Sequence, residues 1–262
     1  MGTEQLSALA AVPAGLIGLV AGSFAGVIVD RVPAGGSVVR PPSHCDACGS
    51  ALRASDNIPV VSYLALRGRC HHCGAHIPAA VLVTELVTAG LFVLLAFRLP
   101  TLWALPAYCV LATGLVALSA IDLELRRLPT PVIYWTGALG ATGLVLASAG
   151  SGRWSALVSA AIGGAACFAV FFAIFFAVPK GMGFGDVRLA ALCGIFLGWL
   201  GPRLVPFGIL LGFVVAGLPA IALVILGKAN RKSQLPFGPF LAAGTLVAVF
   251  FGPAILHALP LF

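Results

Sequence analysis

Apolar residues run along this chain in eight long stretches, which short polar segments separate. Within each stretch the residues are apolar almost without interruption, whereas a strand of a membrane barrel alternates apolar and polar positions. A helix of about 20 residues crosses the hydrocarbon layer of a bilayer. We therefore predict eight transmembrane helices, over residues 8–29, 78–97, 103–121, 131–149, 156–178, 187–201, 205–227 and 236–258.

The composition is that of a membrane protein: 60% of the 262 residues are hydrophobic and only 9% are charged. So few polar groups could not cover the surface of a soluble domain of this size. The predicted fold class is an all-α polytopic membrane protein. We divide it into an N-terminal region, residues 1–100, which holds the first two helices and a polar loop over 30–77, and a membrane-embedded domain, residues 101–262.

The basic residues indicate how the chain lies in the membrane. One set of alternating inter-helix segments and adjoining helix ends holds Arg31, Arg40, Arg53, Arg67, Arg69, Arg126, Arg127, Lys180, Arg188, Lys228, Arg231 and Lys232. The opposite set holds only Arg98, Arg153 and Arg203. Because lysine and arginine accumulate in cytoplasmic loops, we expect the first set, with the 30–77 loop, on the cytoplasmic side. Membrane orientation thus explains the net charge of +7 without nucleic-acid binding.

The 30–77 loop contains two Cys-x-x-Cys pairs, Cys45 with Cys48 and Cys70 with Cys73. Two such pairs, separated by about 20 residues, close a tetrahedral zinc site, and four protein ligands make that site structural rather than catalytic. A loop with little apolar core would draw much of its folding free energy from the metal. The alternative is two disulfides, which a reducing cytoplasm disfavours. A nearby histidine could also replace a thiolate: His44, His71, His72 or His76.

Two of the eight acidic residues lie at predicted helix ends on the cytoplasmic side: Asp122 closes the third span and Asp186 opens the sixth. Ionisable groups at such positions are costly and usually mark function. Asp186 follows Gly183 and Gly185, whose lack of a side chain lets another backbone, such as that of a peptide substrate, approach the carboxylate. Two carboxylates held together would share one proton, so that one activates water while the other donates to the carbonyl under attack. This constellation predicts an aspartyl protease.

Other interpretations of the carboxylates remain open from the residues alone. Asp186 could simply cap the sixth helix and complement its dipole. A proton-coupled transporter also uses a few intramembrane carboxylates, although it would hold them near the midplane and would not explain the cysteine pairs. A structural assembly platform would use them only as caps. Glu85, about two turns inside the second span, is a further costly carboxylate, for which pairing with a loop arginine is the structural alternative.

Several motifs, in order along almost the whole chain, resemble those of the type IV prepilin peptidases, which are GxGD aspartyl proteases and N-methyltransferases. The motifs are GSFAGVIVDRVP at 22–33, DNIPVVSYLALRGRC at 56–70, TELVT at 84–88, DLELRRLP at 122–129, GMGFGDVRL at 181–189 and LPFGPFLAAG at 235–244. The resemblance implies that Asp122 and Asp186 are the catalytic dyad. It also implies that the turn over 237–239 packs near the aspartates.

The same resemblance implies a substrate and a place of action. The enzyme would cleave the short basic leader of a prepilin or pseudopilin, after the glycine that ends the leader, at the cytoplasmic face of the bacterial inner membrane. It would then methylate the new N-terminal amine with S-adenosylmethionine. The expected partners are the prepilin substrate and the lipid bilayer, and the oligomeric state is left open.

The methyl-donor site is the least defined part of this interpretation. Relatives that lack the zinc loop are generally regarded as peptidases only, so the loop favours both activities, with a peptidase that lacks methyl transfer as the alternative. Candidate contributors to the donor site are Asn57, Tyr63, Arg67 and Glu85. One departure from the family pattern is Thr130, where many relatives carry an acidic residue. Because both aspartates are intact, we expect cleavage to be retained.

Overall fold

The computed structural model describes residues 3–178, 182–225 and 236–258, and these residues are almost entirely helical. In chain order the α-helices are α1 (Thr3–Arg31), α2 (Val61–Ala65), α3 (Ala79–Arg98), α4 (Leu105–Leu125), α5 (Thr130–Ser151), α6 (Trp154–Ala177), α7 (Phe184–Leu200), α8 (Leu204–Ile225) and α9 (Gly238–Ala258). Short 3₁₀ helices cover Ala54–Asn57 and Leu102–Ala104. The described residues contain no β-strand, only two isolated bridges. The predicted all-α class is confirmed.

Each predicted span corresponds to one long helix, and α2 is an additional short helix in the polar loop. In the described part of the chain, six helices are long and apolar enough to cross a membrane. Helix α7 has 17 residues, fewer than the roughly 20 that span a bilayer without local thinning. It begins at Phe184 rather than at the predicted residue 187, because the extended backbone of Gly183 ends directly before it. Asp186 therefore lies in the first turn of the helix.

The chain forms two compact units, Met1–Phe97 and Arg98–Phe262. In the first unit, α1 and α3 pack through glycines. A Cβ atom at Gly22 would lie 2.5 Å from the Cα atom of Glu85, and Gly18 is packed almost as closely one turn earlier. Such close contact between backbones requires small residues, which commonly hold membrane helices together.

Helix α7 is the core of the second unit, and its side chains are buried on every face after the first turn. Its closest neighbour is α6. A Cβ atom at Gly194 would lie 2.5 Å from the carbonyl oxygen of Gly163, so only glycine fits on α7 at this point. This packing fixes the position of α7 along the axis of α6, and with it the position of the first turn of α7, which carries Asp186.

The C-terminal end of α7 is anchored by hydrogen bonds from two other helices. The Tyr108 hydroxyl of α4 donates to the carbonyl oxygen of Phe196 at 2.6 Å. The indole Nε1 of Trp199 donates to the Ser148 hydroxyl of α5 at 2.9 Å, and the Arg153 guanidinium lies 4.5 Å from a Trp199 ring centroid. These buried bonds set the rotation of α7 about its axis, and hence the direction of its first turn.

Candidate active site

Asp122 lies one turn before the end of α4 and is 5% exposed. The helix ends because Arg126 adopts a left-handed conformation, and the Arg126 N–H donates to the carbonyl oxygen of Asp122 at 2.9 Å. The carboxylate Oδ2 of Asp122 accepts the N–H of Gly238, the first residue of α9, at 2.9 Å. An N–H at a helix N-terminus has no acceptor in its own helix, so Asp122 satisfies it from outside.

Asp186 accepts a hydrogen bond from its own helix start. Its Oδ2 receives the N–H of Gly183, the residue directly before α7, at 3.0 Å. Asp186 therefore does cap the helix, as the simpler interpretation of the sequence expects. A carboxylate can accept about four hydrogen bonds, so this single bond leaves capacity for water or substrate.

Leu128, in the turn after α4, brings the two aspartate motifs together. A Cβ atom at Gly185 would lie 2.8 Å from the Leu128 Cβ atom. A Cβ atom at Gly238 would lie 3.1 Å from Leu128 Cδ2 and 2.8 Å from Asp122 Oδ2. The end of α4 and the starts of α7 and α9 thus meet at one end of the second unit, and the expected packing of the 237–239 turn beside Asp122 is confirmed.

Arg188, two residues after Asp186, ties α7 to α5. Its Nη1 donates to the hydroxyl oxygen of Thr130, the first residue of α5. Its guanidinium carbon lies 4.4 Å from the Phe184 ring centroid and 5.7 Å from that of Tyr134. We call Arg188, Thr130, Phe184 and Tyr134 the arginine clamp. Thr130, the residue that departs from the family pattern, is thus the hydrogen-bond acceptor of the clamp.

The four loop cysteines converge in the first unit. Their sulfur atoms all lie within 4.8 Å of one another, and the Sγ atoms of Cys45 and Cys73 are 3.8 Å apart. A tetrahedral zinc ion with Zn–S bonds of about 2.3 Å holds its sulfurs about 3.8 Å apart. The cluster of described residues contains thiols alone and no histidine. The geometry and donor set therefore fit structural zinc, with Cys45, Cys48, Cys70 and Cys73 as the ligands.

Two similar turns hold these cysteines. The N–H of Cys45 donates to the carbonyl oxygen of Ser50, and that of Cys70 to Ala75, each at the corresponding position of its turn. Gly49 and Gly74 follow the second cysteine of each pair with φ of +70° and +71°, a conformation that glycine adopts without strain. The sequence repeat Cys-x-x-Cys-Gly thus encodes the same turn twice.

Hydrogen bonds around the sulfurs alter their acidity. The side chain and then the backbone of Ser50 lower the pKa of the Cys48 thiol to about 6. The backbone N–H groups of Cys73 and His72 lower the pKa of the Cys70 thiol. Zinc binds thiolates, so a turn that lowers a thiol pKa prepares that sulfur as a ligand.

Known proteins match most of the chain. Residues 16–99 match the bacterial peptidase A24 N-terminal domain, and residues 109–225 match the type IV leader peptidase family. A prepilin leader peptidase/N-methyltransferase of Burkholderia pseudomallei is 33% identical over 94% of this chain and 89% of its own length. This chain belongs to the prepilin leader peptidase/N-methyltransferase family.

Two further members of that family show the same extent of similarity. The protein of this name from Pseudomonas aeruginosa is 32% identical over 92% of this chain and 90% of its own length. The one from Aeromonas hydrophila is 34% identical over 84% of this chain and 74% of its own length. No solved structure matches the chain. The resemblance drawn from the motifs is confirmed.

The four candidate donor-site residues occupy different environments in this prepilin peptidase family member. Asn57 lines a cavity of about 330 Å³ in the first unit, together with Arg31 and Phe24 of α1. The Tyr63 hydroxyl points to the carbonyl oxygen of Ile77 at 3.5 Å, and Arg67 is exposed. Glu85 is 3% exposed and accepts the N–H of Val60 at 2.7 Å. Its described partner is therefore a backbone amide rather than a loop arginine.

Sequence reasoning missed three features of the candidate site: the Gly238 N–H bond, Leu128 and the arginine clamp. For the Gly238 N–H bond, the sequence did contain a signal, the Phe-Gly-Pro turn before α9. Only the family resemblance connected that turn to the aspartates. A leucine in a turn and an arginine in an apolar helix carry no local signal of what they contact. Those contacts depend on the packing of three helix ends.

Proposed function

We propose that this chain is a membrane aspartyl endopeptidase that removes the leader of type IV prepilins or pseudopilins. The observation that carries the proposal is that the end of α4, which holds Asp122, and the start of α7, which holds Asp186, meet around Leu128 and Gly185, although the two aspartates are 64 residues apart in sequence. Family membership supports the same conclusion, since the relatives are prepilin leader peptidases by name.

The proposed reaction is a hydrolysis in which the two aspartates share one proton. The ionised carboxylate accepts a proton from water, and the water oxygen bonds to the carbonyl carbon of the scissile peptide. The protonated partner donates to the carbonyl oxygen. The tetrahedral intermediate then breaks its C–N bond, and the leaving amine takes the proton. Gly183 supports this chemistry because, in the described structure, a Cβ atom there would meet only Asp186 Oδ2 and the Gly185 nitrogen within 4 Å, so a substrate backbone can lie against it. Gly185 supports it differently, because its missing side chain lets Leu128 pack against the start of α7.

Charge supports the proposed orientation and substrate side. Arg126 and Arg127 lie four and five residues after Asp122, and Arg188 lies two residues after Asp186, so the aspartate end of the second unit carries the basic residues that mark a cytoplasmic face. The leader would be presented from the cytoplasm and the apolar helix of the prepilin from the bilayer. Cleavage would follow the last glycine of the leader. We propose on these grounds that the enzyme acts in the bacterial inner membrane.

We further propose that the first unit carries the methyl-transfer activity. S-adenosylmethionine supplies a sulfonium-bound methyl group to the new N-terminal amine. The cavity beside α1 offers chemistry that suits this donor: the Asn57 amide for its ribose hydroxyls and the Phe24 ring for its adenine. The Arg31 guanidinium, whose Nη1 already donates to the carbonyl oxygens of Ser37 and Pro41, has further N–H groups for the carboxylate of the donor. These three residues would hold the donor. The zinc cluster would stabilise the loop that forms one wall of the cavity.

Mass spectrometry of a co-expressed prepilin tests both activities at once. The wild-type enzyme should yield a mature product that lacks the leader and is one methyl group heavier. Asp122→Asn and Asp186→Asn should each leave the prepilin uncleaved. Glu124→Gln, an exposed carboxylate on the same helix as Asp122, is the matched control and should process normally. Complete processing by either aspartate variant would overturn the assignment of the dyad. A transporter or assembly platform would predict that even the wild type leaves the prepilin uncleaved.

A further inference from the structure

The backbone is strained at Val60, just before α2. Val60 has φ of 61° and ψ of −48°, and the N–H of Val61 donates to the carbonyl oxygen of Pro59 at 2.6 Å. These features define a γ-turn centred on Val60, a turn that is rare in this handedness. A β-branched residue at positive φ is a genuine outlier, because its Cβ atom clashes with the backbone. Such strain persists only when neighbouring contacts hold it in place.

The contact that holds this turn is Glu85. Its Oε2 accepts the Val60 N–H at 2.7 Å, a short bond from a backbone amide to an ionisable group. Glu85 is 3% exposed, and its backbone lies against Gly22 of α1. The carboxylate is therefore fixed by the α1–α3 pair and reaches from that pair to the loop. A buried carboxylate inside a membrane helix is costly and usually marks function.

The turn borders the cavity assigned to the methyl donor. Asn57 and Pro59, three residues and one residue before Val60, line that cavity together with Phe24 and Arg31 of α1. The position of the turn consequently sets the distance between the loop wall and the helix wall. A change in the turn would therefore change the position of Asn57 relative to α1.

We propose that Glu85 is a positioning residue for methyl transfer, which acts by holding the strained Val60 turn and thereby the Asn57 wall of the donor cavity. This inference rests on the proposed methyltransferase activity and assigns to Glu85 a role through Val60 rather than contact with the donor. The proposal adds to the assignment of the donor site a contact between α3, which carries Glu85, and the loop that carries Val60.

Three variants separate positioning from donor contact. Glu85→Leu removes the acceptor, and we expect methylation of the mature product to fall about 10²-fold, as is common when a binding group is misplaced by about 1 Å. Glu85→Gln keeps an amide oxygen that accepts the Val60 N–H, so it should retain most of the activity. Val60→Gly removes the Cβ clash, because glycine populates positive φ readily. In the Glu85→Leu background, Val60→Gly should therefore restore methylation at least tenfold.

The affinity of the purified full-length variants for S-adenosylhomocysteine should rank them in the same order as their methylation activity does. Hydrogen–deuterium exchange supplies a readout that needs no activity: the amides of 57–65 should exchange slowly in the wild type and faster in Glu85→Leu. Leader cleavage and zinc content, measured on each sample, show that a variant is folded. If Glu85→Leu failed to fold, Glu85→Ala, which also removes the acceptor, would carry the test alone and with Val60→Gly.

Normal binding and normal exchange in Glu85→Leu would overturn the proposal. So would a loss of binding that Val60→Gly does not restore, because Glu85 would then contact the donor itself. A wild-type enzyme that cleaves but never methylates, yet shows the expected exchange pattern, would refute the methyltransferase assignment while the link between Glu85 and Val60 stands.

Discussion

The backbone N–H of Gly238 donates to the carboxylate of Asp122 across 116 positions of sequence. This bond joins the last turn of α4 to the first residue of α9, and it orients one member of the proposed dyad from outside its own helix. Asp186, in contrast, is oriented by the start of its own helix through Gly183. The two carboxylates are thus held by independent supports, so each support can be removed separately.

Replacing Gly238 by alanine should disable cleavage. The added Cβ atom would lie 2.8 Å from Asp122 Oδ2 and 3.1 Å from Leu128 Cδ2, so the carboxylate or α9 must move. Because catalysis depends on placement within about 1 Å, we expect the cleavage rate to fall about 10²-fold. The matched control is Gly217→Ala in α8, where an added Cβ atom meets nothing within 4 Å. Equal rates for the two variants would show that the Gly238 contact does not position Asp122.

Arg188→Gln should slow cleavage about tenfold without unfolding the protein, because it removes a charged hydrogen bond and the stacking on Phe184. Arg188→Lys keeps the charge but not the planar fork, and it should fall between the wild type and Arg188→Gln. Thr130→Val removes only the acceptor and should have the smallest effect. Rates and KM measured on a prepilin peptide check the order.

Arg127→Gln is the control for the arginine clamp, since Arg127 is an exposed residue of the same basic cluster. It should change KM for the basic leader more than kcat, whereas the clamp variants should lower kcat. The clamp has no positioning role if Arg188→Gln and Arg127→Gln change the same kinetic constant to the same extent.

Tyr108→Phe should destabilise the second unit while leaving the chemistry intact. The hydroxyl is buried and bonds the Phe196 carbonyl at 2.6 Å, at the opposite end of α7 from Asp186. Loss of a buried hydrogen bond of this kind costs about 1–3 kcal/mol of unfolding free energy. Thermal unfolding in detergent should show a lower midpoint, and cleavage below that midpoint should proceed at the wild-type rate. A slow enzyme with an unchanged midpoint would contradict this assignment.

Much of this architecture follows from local sequence patterns. Membrane helices can be predicted from sequence because a helix that crosses a bilayer needs about 20 consecutive apolar residues. The zinc cluster shows because each Cys-x-x-Cys-Gly turn is encoded within a few residues. The sequence predicts the start of α7 at residue 187, three residues later than the structure has it. Hydropathy cannot locate the helix start here, because a glycine before a helix adopts extended or helical backbone equally well.

The supports of the site depend on tertiary packing and show no such pattern. Gly238 and Asp122 meet because α9 returns to the end of α4, and no property of either segment alone specifies this. Glu85 was recognisable as a costly buried carboxylate, but its partner is the N–H of Val60, and a backbone amide has no sequence signature. The aspartates could therefore be named from sequence, whereas the groups that orient them required the structure.

Cys45→Ser should release the metal from the loop and leave the peptidase domain folded. Four thiolate ligands in a tetrahedral arrangement lose much of their affinity for zinc when one becomes a hydroxyl. Metal analysis of the purified wild type should find one zinc per chain, and Cys45→Ser should retain little of it. Cys109→Ser, in α4 and outside the cluster, is the control and should keep its zinc. Because the loop forms one wall of the proposed donor cavity, Cys45→Ser should also reduce methylation more than it reduces leader cleavage. A wild-type protein without zinc, or a Cys45→Ser variant that holds a full complement of it, would show that these four sulfurs are not its ligands.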